Sequence, residues 1–357
     1  MRRYWYMNET ILTNRQKSIL NLISQSTGIS RGNIQKLIQK IEVISKPTLI
    51  RDLNFLIKNK LIKVEGNASS TKYFSFEDNP LLKYFDLDTY FKLDPDQRLG
   101  VKKKFDYKII GNFKNLFSKI EIEEINNIKK SFLTESSKLS LDIYKKELER
   151  FVIEFSWKSS KIEGNTYSLL ETEELIQKSV VAEGHAKEET VMILNHKRAF
   201  DAILKNYKDY NKLTVSKVNQ IHSLLVDNLG INSGIRSEAV GITGTVYVPF
   251  DLKYQIEDAL SITLELINKT KNPLEKGLIA TTMIPYIQPY SDGNKRTTRM
   301  LVNAILLTGD YYPLSYRNIN VEEYKKAMIL FYEQGSIYHL KRLFLEQIFF
   351  TYKNYFR

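Results

Sequence analysis

The sequence of 357 residues contains no cysteine. Disulfide scaffolds, thiolate zinc sites and cysteine nucleophiles are therefore excluded, and the composition fits a reducing compartment; cytoplasmic localisation is the expectation. Proline is scarce, at 8, while 43% of the residues are hydrophobic. That balance excludes wholesale disorder and predicts a sizeable core shared by two or three domains. Long apolar runs are missing too. The longest lies near residues 277–287 and is too short to cross a bilayer, so no membrane partner is expected. The opening MRRYWYMNET has no apolar stretch of the kind a secretory leader needs. Neither G-x-x-x-x-G-K-[ST] nor H-E-x-x-H occurs, and no feature suggests a hydrolase, a metalloprotease or a redox enzyme.

Acidic residues are scarce in one place. Residues 1–76 carry 13 Lys and Arg against 4 acids, a net of +9, whereas the rest of the chain contributes only +3 of the overall +12. An anionic partner for that segment is the natural inference, and a merely solvated basic surface is the plainer one. Apolar spacing inside the segment predicts three helices, over residues 14–24, 31–41 and 45–60, with Ser30 and Ser45 as N-caps and Pro47 in the first turn of the third. Two short alternating runs, residues 61–65 and 72–76, predict a strand pair joined by a polar loop. Three helices and a ribbon make a winged helix-turn-helix, and residues 45–66 resemble the third helix and wing of bacterial DeoR-type regulators. In that arrangement Lys46, Thr48 and Arg51 face the major groove of duplex DNA and Lys63 meets phosphate. Protein contact is the alternative use of such a domain.

Residues 76–100 read as a domain boundary with two prolines and acidic clusters, and residues 102–104 as a solvated basic cluster. From about Asn112 helical spacing dominates, over residues 113–120, 121–132 and 141–156 among others. One β interruption is predicted at residues 243–250, TGTVYVPF.

The segment richest in chemistry is IPYIQPYSDGNKRTTR, residues 284–299. An apolar helix ends at Pro289, a tight turn follows at residues 291–294, and a second helix begins near Lys295. Gly293 and Asn294 thus sit where free backbone N–H groups open a helix, a ready anion site. Lys295, Arg296 and Arg299 add positive charge, and Asp292 is the one acid there that can hold a divalent metal. These are the parts a polyphosphate needs; a helix cap with solvated bases is the plainer reading.

The segment resembles the signature of the Fic family (filamentation induced by cyclic AMP; Fido fold), HPFxDGNGRxxR. Pro289, Asp292, Gly293, Asn294, Arg296 and Arg299 match, Tyr290 replaces Phe, and Lys295 replaces Gly as in the Doc branch. SSKIEGN, residues 159–165, resembles the family's inhibitory motif with Glu163 as its acid. Residues 189–199 resemble the helix before the core, and residues 234–250 the hairpin flap that aligns target segments. The resemblance implies a mainly α fold, a Fic-type helical bundle with a small β-hairpin flap, beside the winged-helix domain. The expected domains are residues 1–76, a helical connection over 77–146, and a Fic domain over 147–357.

The family's chemistry implies ATP and Mg²⁺ as cofactors and AMP transfer to a protein hydroxyl. Gly293, Asn294, Lys295, Arg296 and Arg299 would hold the nucleotide, Asp292 the metal, and Glu163 would inhibit by pairing with Arg299. Gln288 occupies the place of the catalytic His, alongside Asn294 and Arg296 in the catalytic set. A carboxamide has no pKa near neutrality and cannot accept the hydroxyl proton. The four histidines, His185, His196, His222 and His339, are all remote from Gln288 in sequence, and His196 and His222 read as packing or surface residues. Two functions follow from this reading. One is an adenylyltransferase, autoinhibited and impaired. The other is a nucleotide-responsive DNA-binding regulator whose Fic domain serves as a sensor or as the scaffold of a homodimer.

Overall fold

A computed structural model describes residues 12–67, 70–76 and 78–356. The reading of the first ten residues lies outside them. The chain divides into two compact units, one of Met1–Val101, Gly244–Val246 and Lys325–Arg342, the other of Lys102–Thr243, Tyr247–Tyr324 and Leu343–Arg357. No helix among the described residues is long and apolar enough to cross a membrane.

The first unit opens with α1 (Asn14–Ser24), α2 (Arg31–Ile38) and α3 (Lys46–Lys58). Each begins on a hydroxyl cap, Thr13, Ser30 and Ser45, whose oxygen accepts an N–H of the first turn. Pro47 fits the start of α3, where its missing N–H costs nothing. Ile19, Leu20, Ile23, Ile34, Ile38, Leu49, Leu53 and Leu56 form one core. Strands β1 (Ile62–Glu65) and β2 (Lys72–Ser75) pair antiparallel, with Ile62 opposite Ser75 and Glu65 opposite Lys72. Gln16, Ser24 and Asp52 are the buried polar residues of these helices, and Asp52 is the charged one. Asp52 accepts from Arg15 Nε at 2.6 Å and Gln16 Nε2 at 3.0 Å, so two groups of α1 satisfy its carboxylate. The unit reaches beyond residue 76. The short α4 (Leu87–Tyr90) packs Phe85 and Leu87 on Leu330, and Tyr338 packs against the α1–α3 core. Glu333 accepts from Arg98 at 3.0 Å and from the Tyr90 hydroxyl at 2.6 Å, with both charged side chains buried.

The second unit is helical. Its elements are α5 (Lys119–Ser136), α6 (Leu141–Ile162), α7 (Leu169–Lys178), α8 (Lys187–Asn206), α9 (Val215–Val226), α10 (Lys253–Lys269), α11 (Pro273–Ile287) and α12 (Asn294–Thr308). Two further α-helices among the described residues are α13 (Val321–Gln334) and α14 (Tyr338–Asn354). Every residue of α11 from Gly277 to Ile287 is buried, and α12 packs along it, so the turn between them starts from the centre of the core.

Two expected elements differ. Residues 113–118 are not helical, because Ser118 and Glu121 form a capping box that starts α5 at Lys119. Residues 243–250 form no strand and the flap is no hairpin. Its backbone is held otherwise. The Val248 N–H donates to the Lys103 carbonyl at 2.9 Å, and the Phe250 carbonyl accepts from a side chain, Arg236. With those groups engaged elsewhere, no ladder closes across the segment.

Candidate functional site

Gln288 caps α11 in the left-handed region, at φ 52°. Its amide is held at both ends: Nε2 donates to the Pro285 carbonyl at 2.7 Å, and Oε1 accepts from Asn294 Nδ2 at 2.8 Å. Asn294 ties the turn shut from inside, since its Nδ2 also reaches the Tyr290 carbonyl and its Oδ1 accepts the Tyr290 N–H. Gly293 caps α12 at φ 81°. A Cβ there would lie 3.2 Å from Val226 Cγ1, so both the backbone and the space call for glycine. The first amides of α12 lie beyond the reach of any carbonyl in their own helix, and one of the free donors of the turn, the Gly293 N–H, is taken by Asp292 Oδ1 at 2.6 Å. Asp292 keeps its carboxylate largely exposed and also accepts from Arg296 Nη2 at 2.9 Å.

Glu163 ends α6. Its Oε1 lies 2.9 Å from Arg299 Nη2 and its Oε2 lies 3.4 Å from Lys295 Nζ. Arg299 is wholly buried and is steered by Ser159, whose hydroxyl and carbonyl accept from its Nε and Nη2. Burial by itself would raise the Glu163 carboxyl, but Arg299 and Lys295 outweigh it and hold the group below the usual carboxylate range. Arg296 is also buried, and its Nε and Nη1 have no hydrogen-bond partner among the described residues. A buried guanidinium with unused donors costs folding energy unless a ligand fills them.

Residues 212–306 match the model of the Fic/DOC family. The chain carries a Fic/DOC family domain. Among curated proteins it is 27% identical over 192 residues to the protein adenylyltransferase Fic of Aedes aegypti, covering 52% of this chain and 38% of that one. It is 24% identical over 162 residues to protein adenylyltransferase fic-1 of Caenorhabditis elegans, covering 43% and 31%. The chain thus spans well under half the length of these two relatives. Among solved structures, C. elegans Fic-1 over its residues 134–508 superposes with a TM-score of 0.55 at 17% identity, covering 65% of this chain and 70% of that one. A Fic family protein of Desulfovibrio desulfuricans gives 0.55 at 18% identity, covering 70% and 74%. At that identity the superpositions bear on the fold alone, and they agree with the mainly helical architecture.

Around the Fic turn the structure gathers residues that the sequence reading did not join to it, among them His222, read there as a packing or surface residue. The His222 ring stacks on Tyr290, centroids 3.7 Å apart and nearly parallel, and its Nε2 lies 3.0 Å from the Asp292 carbonyl. That contact requires the Nε2–H tautomer. Burial lowers the His222 pKa to about 4 against a gain from the Asp292 carbonyl, so the ring is neutral. The Tyr290 hydroxyl in turn reaches Asn219 Oδ1 at 2.8 Å. His222 lies 70 residues from Asp292 in the chain, and no local pattern links them. His196 is buried against Phe155, and desolvation together with Arg299 and Arg296 keeps it neutral. His339 lies at the start of α14, with Nε2 2.6 Å from the Phe85 carbonyl.

In the other unit Lys46 and Arg51 are exposed on α3, and the half-buried Thr48 is tied to Ser45 and Arg51 by its hydroxyl. Lys63 on β1 lies 2.8 Å from Asp78 and 3.7 Å from Glu65, so its charge is partly neutralised.

Proposed function

We propose that the Fic domain is an ATP- and Mg²⁺-binding domain of the protein adenylyltransferase type, restrained by Glu163 and impaired in transfer by Gln288. The observation that carries this reading is the 2.9 Å contact between Glu163 and Arg299 inside the motif. An arginine suited to a phosphate is occupied by the chain's own carboxylate, and an incoming polyphosphate has to displace it. The residues fit the ligand. Arg296 holds unused buried donors, the opening amides of α12 from Asn294 onward offer an anion nest beside Gly293, whose own N–H is held by Asp292, and Lys295 stands beside them. Asp292 offers an exposed carboxylate, as a magnesium ion shared with phosphate oxygens requires. When bound, the metal would neutralise phosphate charge.

AMP transfer to a Ser, Thr or Tyr hydroxyl of a target protein needs an acceptor for the hydroxyl proton. The Gln288 carboxamide is none, and its two hydrogen bonds leave it pinned. Loss of a general base costs about 10²–10⁴-fold in rate. Calorimetry with MgATP and labelling with α-labelled ATP test the reading. Glu163→Gly should bind MgATP about tenfold tighter than wild type or better, a change of roughly 1.4 kcal/mol, and Asp292→Ala or Arg296→Ala should weaken binding. Labelling should emerge in Gln288→His combined with Glu163→Gly. No ATP binding even in Glu163→Gly would overturn the nucleotide site; equal labelling by wild type and Gln288→Ala would overturn the argument about the base.

A second reading rests on the first unit. The three helices and the ribbon have the element order of a winged helix, and Lys46 and Arg51 face solvent on α3 beside Thr48. On this reading Lys46, Thr48 and Arg51 contact duplex DNA, Lys63 contacts phosphate, and the nucleotide state of the Fic domain, in a homodimer, tunes binding.

A further inference from the structure

Arg236 is buried, and its side chain donates to no carboxylate among the described residues; Glu238 and Asp251 act on it only through their charge. Its guanidinium is spent on three backbone carbonyls instead. Nε donates to Gln288 at 2.7 Å, Nη1 to Glu238 at 2.5 Å and Nη2 to Phe250. Its own N–H donates to the Pro289 carbonyl at 3.0 Å. One side chain therefore fastens both limbs of a loop, at Glu238 and at Phe250, to the residue that stands in the position of the motif His. The apolar neighbours repeat the pattern: Ile235 and Phe250 pack with Phe105 on the cluster of Ile256, Ala259 and Ile287. Two residues before Phe250 the loop turns outward, with Val248 exposed.

We propose that Arg236 is the positioning residue that sets this loop and residue 288 in one frame, so that a protein acceptor laid along residues 247–250 presents its hydroxyl at residue 288. The proposal rests on the adenylyltransferase reading for the acceptor, but the fastening itself does not depend on it. The chemistry is specific to arginine. A planar fork with five N–H groups can reach three carbonyls at once; the ammonium of lysine is a point charge and cannot span them. The end of α11 adds a reason for the cation, because a helix C-terminus carries partial negative charge and Gln288 is its cap.

The test uses the full chain and Arg236→Lys, with Arg236→Gln as a second variant in case the first fails to fold. Hydrogen exchange is read at the amides of residues 236 and 248, which donate to the Pro289 and Lys103 carbonyls, and MgATP affinity by calorimetry in the Glu163→Gly background. Expected is exchange at least tenfold faster in those residues, protection elsewhere unchanged, and MgATP affinity within twofold of the parent. In the labelling-competent Gln288→His, Glu163→Gly background, the KM for a protein acceptor should rise more than kcat falls. Unchanged exchange in both variants would overturn the proposal, and so would a parallel loss of MgATP affinity, which would place Arg236 in the nucleotide site. Faster exchange in a protein that never labels an acceptor would spare the fastening and sink the adenylyltransferase reading and, with it, the alignment role.

Discussion

Gln288, Glu163 and the turn residues were legible as single letters because their spacing is fixed within one stretch of chain. His222 and Arg236 were not, because each acts through a backbone carbonyl remote in sequence, and a carbonyl leaves no mark on the sequence. The buried histidines give a consequence that can be measured. His222, near 4, and His196, held well below its usual range by burial, are neutral in the fold but titrate near 6.5 in the unfolded chain. Below 6.5 the unfolded chain binds more protons, so stability present above that value is lost as pH falls from 6.5 towards 4. The slope is up to about 1.4 kcal/mol per pH unit for each histidine. Urea unfolding across that window should show the fall, and His222→Gln, which keeps a donor for the Asp292 carbonyl, should flatten it. A wild-type curve that is level between those limits would refute the burial argument.

At the level of the element, the caps carried most of the information. Ser30 and Ser45 start their helices as their side chains dictate, and Ser45→Ala should cost about 1 kcal/mol in urea unfolding, with α3 fraying first in hydrogen exchange. Residues 243–250 misled because alternating apolar residues specify an extended chain but not a partner, and Arg236 and Lys103 took the groups a ladder needs. Residues 113–118 misled in the opposite way: the apolar spacing was there, but the capping box at Ser118 set the start of α5 later. Gly293 belongs to this scale because it joins two helices. Gly293→Ala forces a side chain into φ 81° and against Val226. A loss of about 1–3 kcal/mol is expected, with weaker MgATP binding, whereas full stability would show that the turn can relax.

For the whole molecule, the uneven charge was visible at once, and its consequence remains an expectation with a clear measurement. If the first unit binds duplex DNA, gel-shift affinity of the full chain should fall steeply with salt, because each neutralised phosphate releases a counterion. Arg51→Ala should then relax sequence preference by about 1–3 kcal/mol, and Lys63→Ala should lower the salt slope by about one unit. No binding at low salt would leave the surface to protein contact. The buried Arg98–Glu333 pair makes a separate expectation. Glu333→Ala strands a buried guanidinium and the Tyr90 hydroxyl, and should cost about 3–5 kcal/mol in urea unfolding.

That pair also has a meaning in time. The first unit is assembled from Met1–Val101, Gly244–Val246 and Lys325–Arg342. A ribosome releases α1 to α3 before α12, yet Leu330, which covers Phe85 and Leu87, and His339, which meets the Phe85 carbonyl from 254 residues further along, emerge only after it. The α1–α3 core can collapse on its own residues, while the layer over Phe85 stays open until α13 and the start of α14 have been made. A translation arrest after α12 would therefore leave a nascent chain with Phe85, Leu87 and Arg98 uncovered, a stretch for a holding chaperone to shield. The same dependence forbids transplanting the first unit as a simple N-terminal cut: a truncation at Val101 removes the late residues that finish it.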